Sequence, residues 1–374
     1  MSTSTFTGNH DAVLQLNSRN LEALLEQQIG GLLRIFRAGI ELPTPMGARF
    51  DYADVQVGVW LSSNAPWLDL ELRFVEPTLV TAGARASLGA RPARYSLAVR
   101  LDVPPYAAED SSLSLELLFD WTVVRLAVDD PAGLGADPDA QLAVIRTALT
   151  ELLRPLLSPD DGRTRRRLTT MTRRPDSVPD PAPGDPVAPG MARFQLRHLD
   201  TSVGRRGAAT VDAVSLGVRL LQAPWGPISA PPSTVGPLQD GALIVHNGLL
   251  FTMLADALMQ APPAGLGLRG LSVTPMELLL RAPEDVSVGG NSIRVVELKL
   301  TASGNTIVFQ GGFHLDMGIS AADITATGPI TFAFDGSGRL VIGVDLTTSM
   351  STHITGWGVA GVIGLAIIGA IIGA

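Results

Sequence analysis

The 374-residue sequence contains no cysteine. That removes disulfides, thiolate nucleophiles and cysteine-ligated metals. Aromatic residues make up only 5 %, too few for carbohydrate platforms or base-stacking surfaces. Lysine occurs once, at Lys299, so nearly all basic charge is arginine. Charged residues are 17 % against 46 % apolar ones, and the net charge is −8. The surface is therefore sparsely charged, and nucleic acid is excluded as a general partner. Charge is missing altogether after Asp345, where 29 residues run without Asp, Glu, Lys or Arg.

What fills that charge-free end is apolar. Residues 354–374 read ITGWGVAGVIGLAIIGAIIGA. As a helix they would extend about 32 Å, enough to cross a bilayer core. Nine Ile, Val or Leu residues favour insertion, together by roughly 3 to 5 kcal/mol. Six glycines weaken the helix, by about 1 kcal/mol each in water. At 100° per residue Gly358, Gly361, Gly369 and Gly373 share one face, with Ile363, Ile367 and Ile371 opposite. Gly369 and Gly373 have the spacing that lets helix backbones approach closely, and Trp357 stands where an interfacial aromatic would. A C-terminal apolar Gly-rich helix is expected. Membrane insertion, burial in the protein's own apolar groove and self-association through the glycines all satisfy it.

The rest of the chain alternates helix and strand patterns. A helix is expected from Asn17 or Ser18 to about Arg37, with Leu21, Leu24, Leu25, Ile29, Leu32, Leu33 and Phe36 on its apolar face and Gly30-Gly31 as a kink. Period-two runs follow, strictest at Leu68, Leu70, Leu72, Phe74 and at Leu97, Val99, Leu101, Val103. Asp137-Pro138 starts a second helix with Leu142, Ile145, Leu149, Leu152 and Leu156 on one side. Arg163, Arg165, Arg166, Arg167, Arg173 and Arg174 then cluster, and a proline-rich stretch follows. Residues 158–192 are expected to be a solvated linker. Its arginines are either a soluble flank or a patch for anionic lipid or a protein partner. Strands resume over 193–221, a helix over about Asn247 to Met259 presents Leu249, Leu250, Met253, Leu254 and Leu258, and a hairpin joins Ile330–Phe334 to Leu340–Leu346.

The expected fold is α+β, with amphipathic helices packed on curved antiparallel sheets. The divisions are 1–157, a linker at 158–192, a second helix-plus-sheet unit at 193–348 and a tail at 349–374. The order of elements is compatible with two similar units.

No catalytic signature stands out. The string Gly265-Leu266-Gly267-Leu268-Arg269-Gly270 lacks the strand before and helix after that a dinucleotide needs, and reads as a turn. No G-x-S-x-G elbow occurs. No two of the five histidines have the i, i+4 spacing of a helical metal pair. His314 and Asp316 share a strand face, where a surface pair competes with a metal or general-base pair. Neither an enzyme nor a cofactor is expected.

The helix LNSRNLEALLEQQI (16–29) with the strands after it, and VHNGLLFTMLADALM (245–259) with the strands after that, resemble the tubular lipid-binding (TULIP) superfamily, which includes the bactericidal/permeability-increasing proteins and bacterial relatives found near toxin genes. The resemblance spans about residues 10–348 and rests on element order. It implies a long groove for acyl chains or another apolar ligand, and no catalysis. A pair of ordinary β-sandwich or α+β domains accounts for the same strands.

Three functional classes follow. The first is a non-enzymatic binder of lipid or another apolar ligand that associates with membranes through its tail. The second is a pore-forming or membrane-damaging effector that oligomerises through the glycine face. The third is an assembly component that docks the tail into a partner. The start, MSTSTFTGNHDAV, has no basic segment followed by an apolar one. A cytoplasmic start without a secretory signal is expected, and export by a dedicated machine is compatible with it.

Overall fold

The computed structural model of the chain describes residues 4–31, 39–42, 47–61, 67–160, 162, 164–182, 185, 194–204, 210–211, 213–222, 225–239, 241–260, 266–288, 291–303, 306–316, 321–334 and 340–352. Strand accounts for 50 % and helix for 18 %, so antiparallel sheets carry the architecture and a few helices cover them. One of the sheets curls into a half-barrel.

The chain opens with a single helical turn, α1 (Ser4–Thr7), and strand β1 (Ala12–Asn17). Helix α2 (Ser18–Leu25) follows at once, because the Asn17 side chain accepts from Asn20 N at 3.0 Å and satisfies a free helix donor. It passes into a π turn at Glu26–Gly30, beside the expected kink.

Two antiparallel sheets come next. Strands β2 (Ile40–Glu41), β3 (Arg49–Asp51), β6 (Thr78–Thr81) and β7 (Ala84–Ser87) make a small one in that order. Strands β4 (Asp54–Leu61), β5 (Leu68–Val75), β8 (Ala93–Asp102), β9 (Ser112–Ala127) and β10 (Arg165–Thr172) make a larger one, ordered β10-β9-β8-β5-β4. Leu68, Leu70, Leu72 and Phe74 are buried and pair in register with Val99, Leu97, Tyr95 and Ala93. Leu21, Leu25 and Ile29 close the core from the β4 side. Helix α3 (Pro138–Leu157), capped by Asp137, closes it from the β9 side with Ile145, Leu149, Leu153 and Leu157. Each such fully buried side chain contributes about 1.5–3 kcal/mol. The buried stripe of α3 differs from the expected one at its end, where Leu153 and Leu157 replace Leu152 and Leu156.

Strand β10 corrects one expectation. Residues 165–172 do not belong to a solvated linker but extend the sheet, with Arg166 opposite Leu117 and Met171 opposite Leu113. The reason is electrostatic and conformational. Arg165 Nη1 reaches Asp102 at 2.7 Å and Glu116 at 3.4 Å, and the β-branched Thr169, Thr170 and Thr172 suit an extended backbone.

The second half supplies strands β11 (His198–Gly204), β12 (Ala213–Arg219) and β13 (Gly241–Val245). They form a four-stranded sheet with β1, ordered β11-β12-β1-β13. An amino-terminal strand is thus hydrogen-bonded on both sides to strands some two hundred residues away, Leu14 pairing with Leu216 and Leu243. Helix α4 (Asn247–Met259) lies against β14 (Leu271–Val273) and β15 (Glu277–Leu280). Strands β16 (Glu284–Val288), β17 (Asn291–Ser303), β18 (Thr306–Asp316), β19 (Ala321–Phe334), β20 (Leu340–Val344) and β21 (Thr347–Thr352) complete an eight-stranded antiparallel sheet. The expected hairpin pairing is present, with Phe334 opposite Leu340 and Ile330 opposite Val344. Helix α4 buries Phe251, Ala255 and Leu258 against this sheet, whereas Met253, expected inside, is 45 % exposed.

Candidate functional site

The central sheet is built the wrong way round for a soluble surface. Its two faces separate cleanly by register. On one face lie Val245, Ala12, Val218 and Leu199; then Leu243, Leu14, Leu216 and Thr201; then Gly241, Leu16, Val214 and Val203. This face is apolar throughout apart from Thr201 and Gly241. Yet Leu14 is 37 % and Leu243 53 % exposed, and Ala12, Leu16, Leu216, Val218 and Val245 are only half-buried. Val214 is buried and joins the amino-terminal core, with Leu216 packed against it. The open face is therefore continuous with packed apolar side chains.

The opposite face buries polar side chains at its centre. Gln15, fully buried, donates to Ser215 Oγ at 3.1 Å and to Pro232 O at 2.8 Å, and accepts from Thr234 N and Oγ1 at 2.8 and 2.9 Å. His10 sits over Gly217, where a Cβ would lie 2.4 Å from the ring, and contacts Asp200 at 3.2 Å. That hydrogen bond holds the Asp200 carboxyl below its ordinary value. Asp11 accepts from Leu220 N, Leu221 N and Trp225 Nε1 at 2.7 to 2.9 Å. Trp225 stacks on His246, with 5.1 Å between ring centroids. His246 Nδ1 in turn accepts from Gly248 N at 3.1 Å and caps α4. Burial pushes the His246 pKa down, so the ring is neutral as a cap acceptor must be. Gln15, Asp11 and the His246 cap are thus tied into the fold on this side, whereas the apolar side presents leucines to solvent.

The clustered arginines do not form an exposed anionic-partner patch. The Arg173 guanidinium is buried over the Tyr106 ring at 4.0 Å and donates to the carbonyls of Ala107, Ala108 and Arg197 at 2.8, 3.0 and 3.3 Å. Arg174 is also buried, with Nε on Gln195 Oε1 at 3.2 Å. Arg165 is taken by its carboxylates, as above, and Arg166 donates to Leu156 O at 3.0 Å. Arg167 is the one largely exposed member among those described, 3.8 Å from Glu116; Arg163 lies outside the described residues. Desolvation explains the correction, because a buried guanidinium is tolerated only where carbonyls and carboxylates satisfy it. The cluster's key member was missed in the sequence. Arg197, outside the arginine run, donates to Asp180 at 2.6 and 3.1 Å, to Val178 O at 2.7 Å and to Pro175 O at 2.9 Å. His198 contacts both Asp176, at 2.9 Å, and the Tyr106 hydroxyl.

The tail residues Trp357, Gly358, Gly361, Ile363, Ile367, Gly369, Ile371 and Gly373 lie outside the described residues. Among the described residues no helix is long and apolar enough to cross a membrane. His314 pairs with Asp323 on the neighbouring strand at 2.7 Å rather than with Asp316. Among the described residues no group of three acidic or imidazole ligands could hold a metal ion. Leu266–Gly270 forms an irregular stretch ahead of β14, with Gly267 at φ +70°.

The sequence matches no protein-family profile and no curated protein. Solved structures are similar in fold. P47 from Clostridium botulinum A2 aligns with a TM-score of 0.51 at 10 % identity, over 97 % of this chain and 85 % of its own. P47 of Clostridium botulinum E1 aligns with a TM-score of 0.51 at 8 % identity, over 97 % of this chain and 86 % of its own. At such identity the likeness extends to the fold alone, and it runs through both halves of the chain.

Proposed function

We propose that the protein is a non-enzymatic binder of lipid or another apolar ligand, taken up on the open face of the central sheet, and that it associates with membranes through residues 354–374. The observation that carries this reading is the row Leu243, Leu14, Leu216, which stays half in solvent while Gln15 and Ser215 on the reverse of β1 and β12 are fully buried. Contiguous exposed apolar surface of this kind marks a binding surface, since water is a poor partner for it. The charge-free carboxyl end adds a second apolar surface that requires shelter. Kinship with the tubular lipid-binding superfamily belongs to the same proposal.

Flotation with phosphatidylcholine vesicles tests it. Full-length protein should float and protein lacking 354–374 should remain in the soluble fraction. Equal flotation of the two would remove the tail from the account. A second reading, membrane damage by oligomers packed through Gly369 and Gly373, is favoured by their spacing. It predicts dye leakage from vesicles that Gly369→Leu abolishes without reducing flotation.

A further inference from the structure

The outer face of the amino-terminal sheet carries a second feature, distinct from the apolar surface. A cleft of about 500 Å³ is lined by Gln56, Glu71, Arg73, Arg91, Arg94 and Asp129 among others. Register places Gln56, Arg73, Arg94 and Ala127 side by side across four strands. Arg73 and Arg94 are therefore directly opposed cross-strand neighbours of like charge, an arrangement that costs stability where only one of the two is offset by a carboxylate. Glu71, nearly buried on the same face, is taken by Arg73 Nε at 2.7 Å. Among the described residues Arg94 has no hydrogen bond or ion pair. Arg91 stands at the rim, 3.7 Å from Asp129. The rim is held by Gly89 at φ +116°, where a Cβ would lie 2.6 Å from the Asp129 Cβ, so the chain packs closely there only because it is glycine.

We propose that this cleft binds a phosphoryl group between Arg73 and Arg94, with Arg91 closing over it. A carboxylate brings one negative charge, which offsets one guanidinium. A phosphoryl group has enough acceptors to engage two forks at once. The volume exceeds a bare phosphate and leaves room for what the phosphate is attached to, whether a soluble metabolite or a lipid headgroup. In a chain of net charge −8, the three arginines of this concavity outnumber its two carboxylates, Glu71 and Asp129, and leave it locally positive.

The test uses the full-length protein in phosphate-free buffer. It is titrated calorimetrically with inorganic phosphate and with glycerol 3-phosphate, and floated with vesicles of phosphatidylcholine alone or containing phosphatidic acid. Arg94→Gln should weaken binding about tenfold or more, the effect of losing one charge-assisted contact, whereas Arg269→Gln, outside the cleft, should match the wild type. Arg94→Gln should also be at least as thermally stable as wild type without phosphate, and should lose the rise in Tm that phosphate gives the wild type. Response to soluble phosphate assigns a soluble ligand. Response only to phosphatidic acid over phosphatidylcholine, removed by Arg94→Gln, assigns a headgroup. Failure of the apolar-ligand reading would lower flotation with both vesicle types and leave the calorimetric titration intact. Wild type that responds to neither phosphate source, or Arg94→Gln that binds as wild type does, overturns the proposal.

Discussion

Replacing Arg197 by Met should destabilise the protein more than any other arginine substitution in the cluster. The side chain is fully buried and makes two contacts to Asp180 and one each to the carbonyls of Pro175 and Val178. Its own backbone N–H bonds Arg219 O at 2.8 Å, at the end of β12. Met fills most of the volume but donates nothing. Asp180, 30 % exposed, then keeps Gln222 N at 2.7 Å and Arg174 at 3.6 Å and turns its freed oxygen to water. Losing these charge-assisted hydrogen bonds, whose acceptors reach water, costs about 1–3 kcal/mol. The two orphaned carbonyls are part of that figure, since effects within one network do not add. Urea denaturation followed by circular dichroism measures it as a lowered midpoint at unchanged slope. Arg167→Met is the control, because that side chain is 60 % exposed and 3.8 Å from Glu116; a change within about 0.5 kcal/mol is expected there. If the two variants unfold at the same urea concentration, the claim that the arginines are internal fasteners fails.

The stability of the His246 cap should depend on acid. Burial lowers its folded-state pKa, so the unfolded chain takes up a proton first as pH falls; the contribution is intact above about pH 6.5 and lost below it. His246→Gln should flatten the fall in Tm between about pH 6.5 and pH 5, and a curve parallel to the wild type would refute the cap. Gly217→Ala should cost about 1–3 kcal/mol by pushing the His10 ring off Asp200, read by urea denaturation; an unchanged midpoint would show that the ring moves freely. Leu72→Ala, fully buried in the larger amino-terminal sheet, should cost about 2–5 kcal/mol in the same assay.

The parts of the fold that were legible in the sequence are those where one face of a strand meets a core. β5 and β8 alternate strictly, and the β19 and β20 strands pair in the expected register. β1 was not legible. In AVLQLN the buried side carries Val13, Gln15 and Asn17, while the leucines at 14 and 16 look outward. Hydropathy cannot identify a strand whose polar residues are the sealed ones. The period of β17 slips because a bulge between Val295 and Glu297 turns Val296 outward, so Ile293 and Val295 on one side of it continue as Leu298 and Leu300. The arginine cluster misled for a related reason. Arginine signals solvent only when nothing nearby can accept its five donors, and the acceptors here are carbonyls from distant loops, invisible to composition. The open apolar face was equally hidden, since it exists only once strands from both halves of the chain are paired.

That face is where the account is most exposed to test. Native mass spectrometry of full-length protein from detergent-free lysate should show lipid or another apolar adduct on the wild type. Leu14→Asn with Leu243→Asn, two side chains already in contact with water and so affordable to change, should remove the adduct while leaving the circular dichroism spectrum unaltered. Wild type that carries no adduct, or a double variant that retains it in full, would contradict the account.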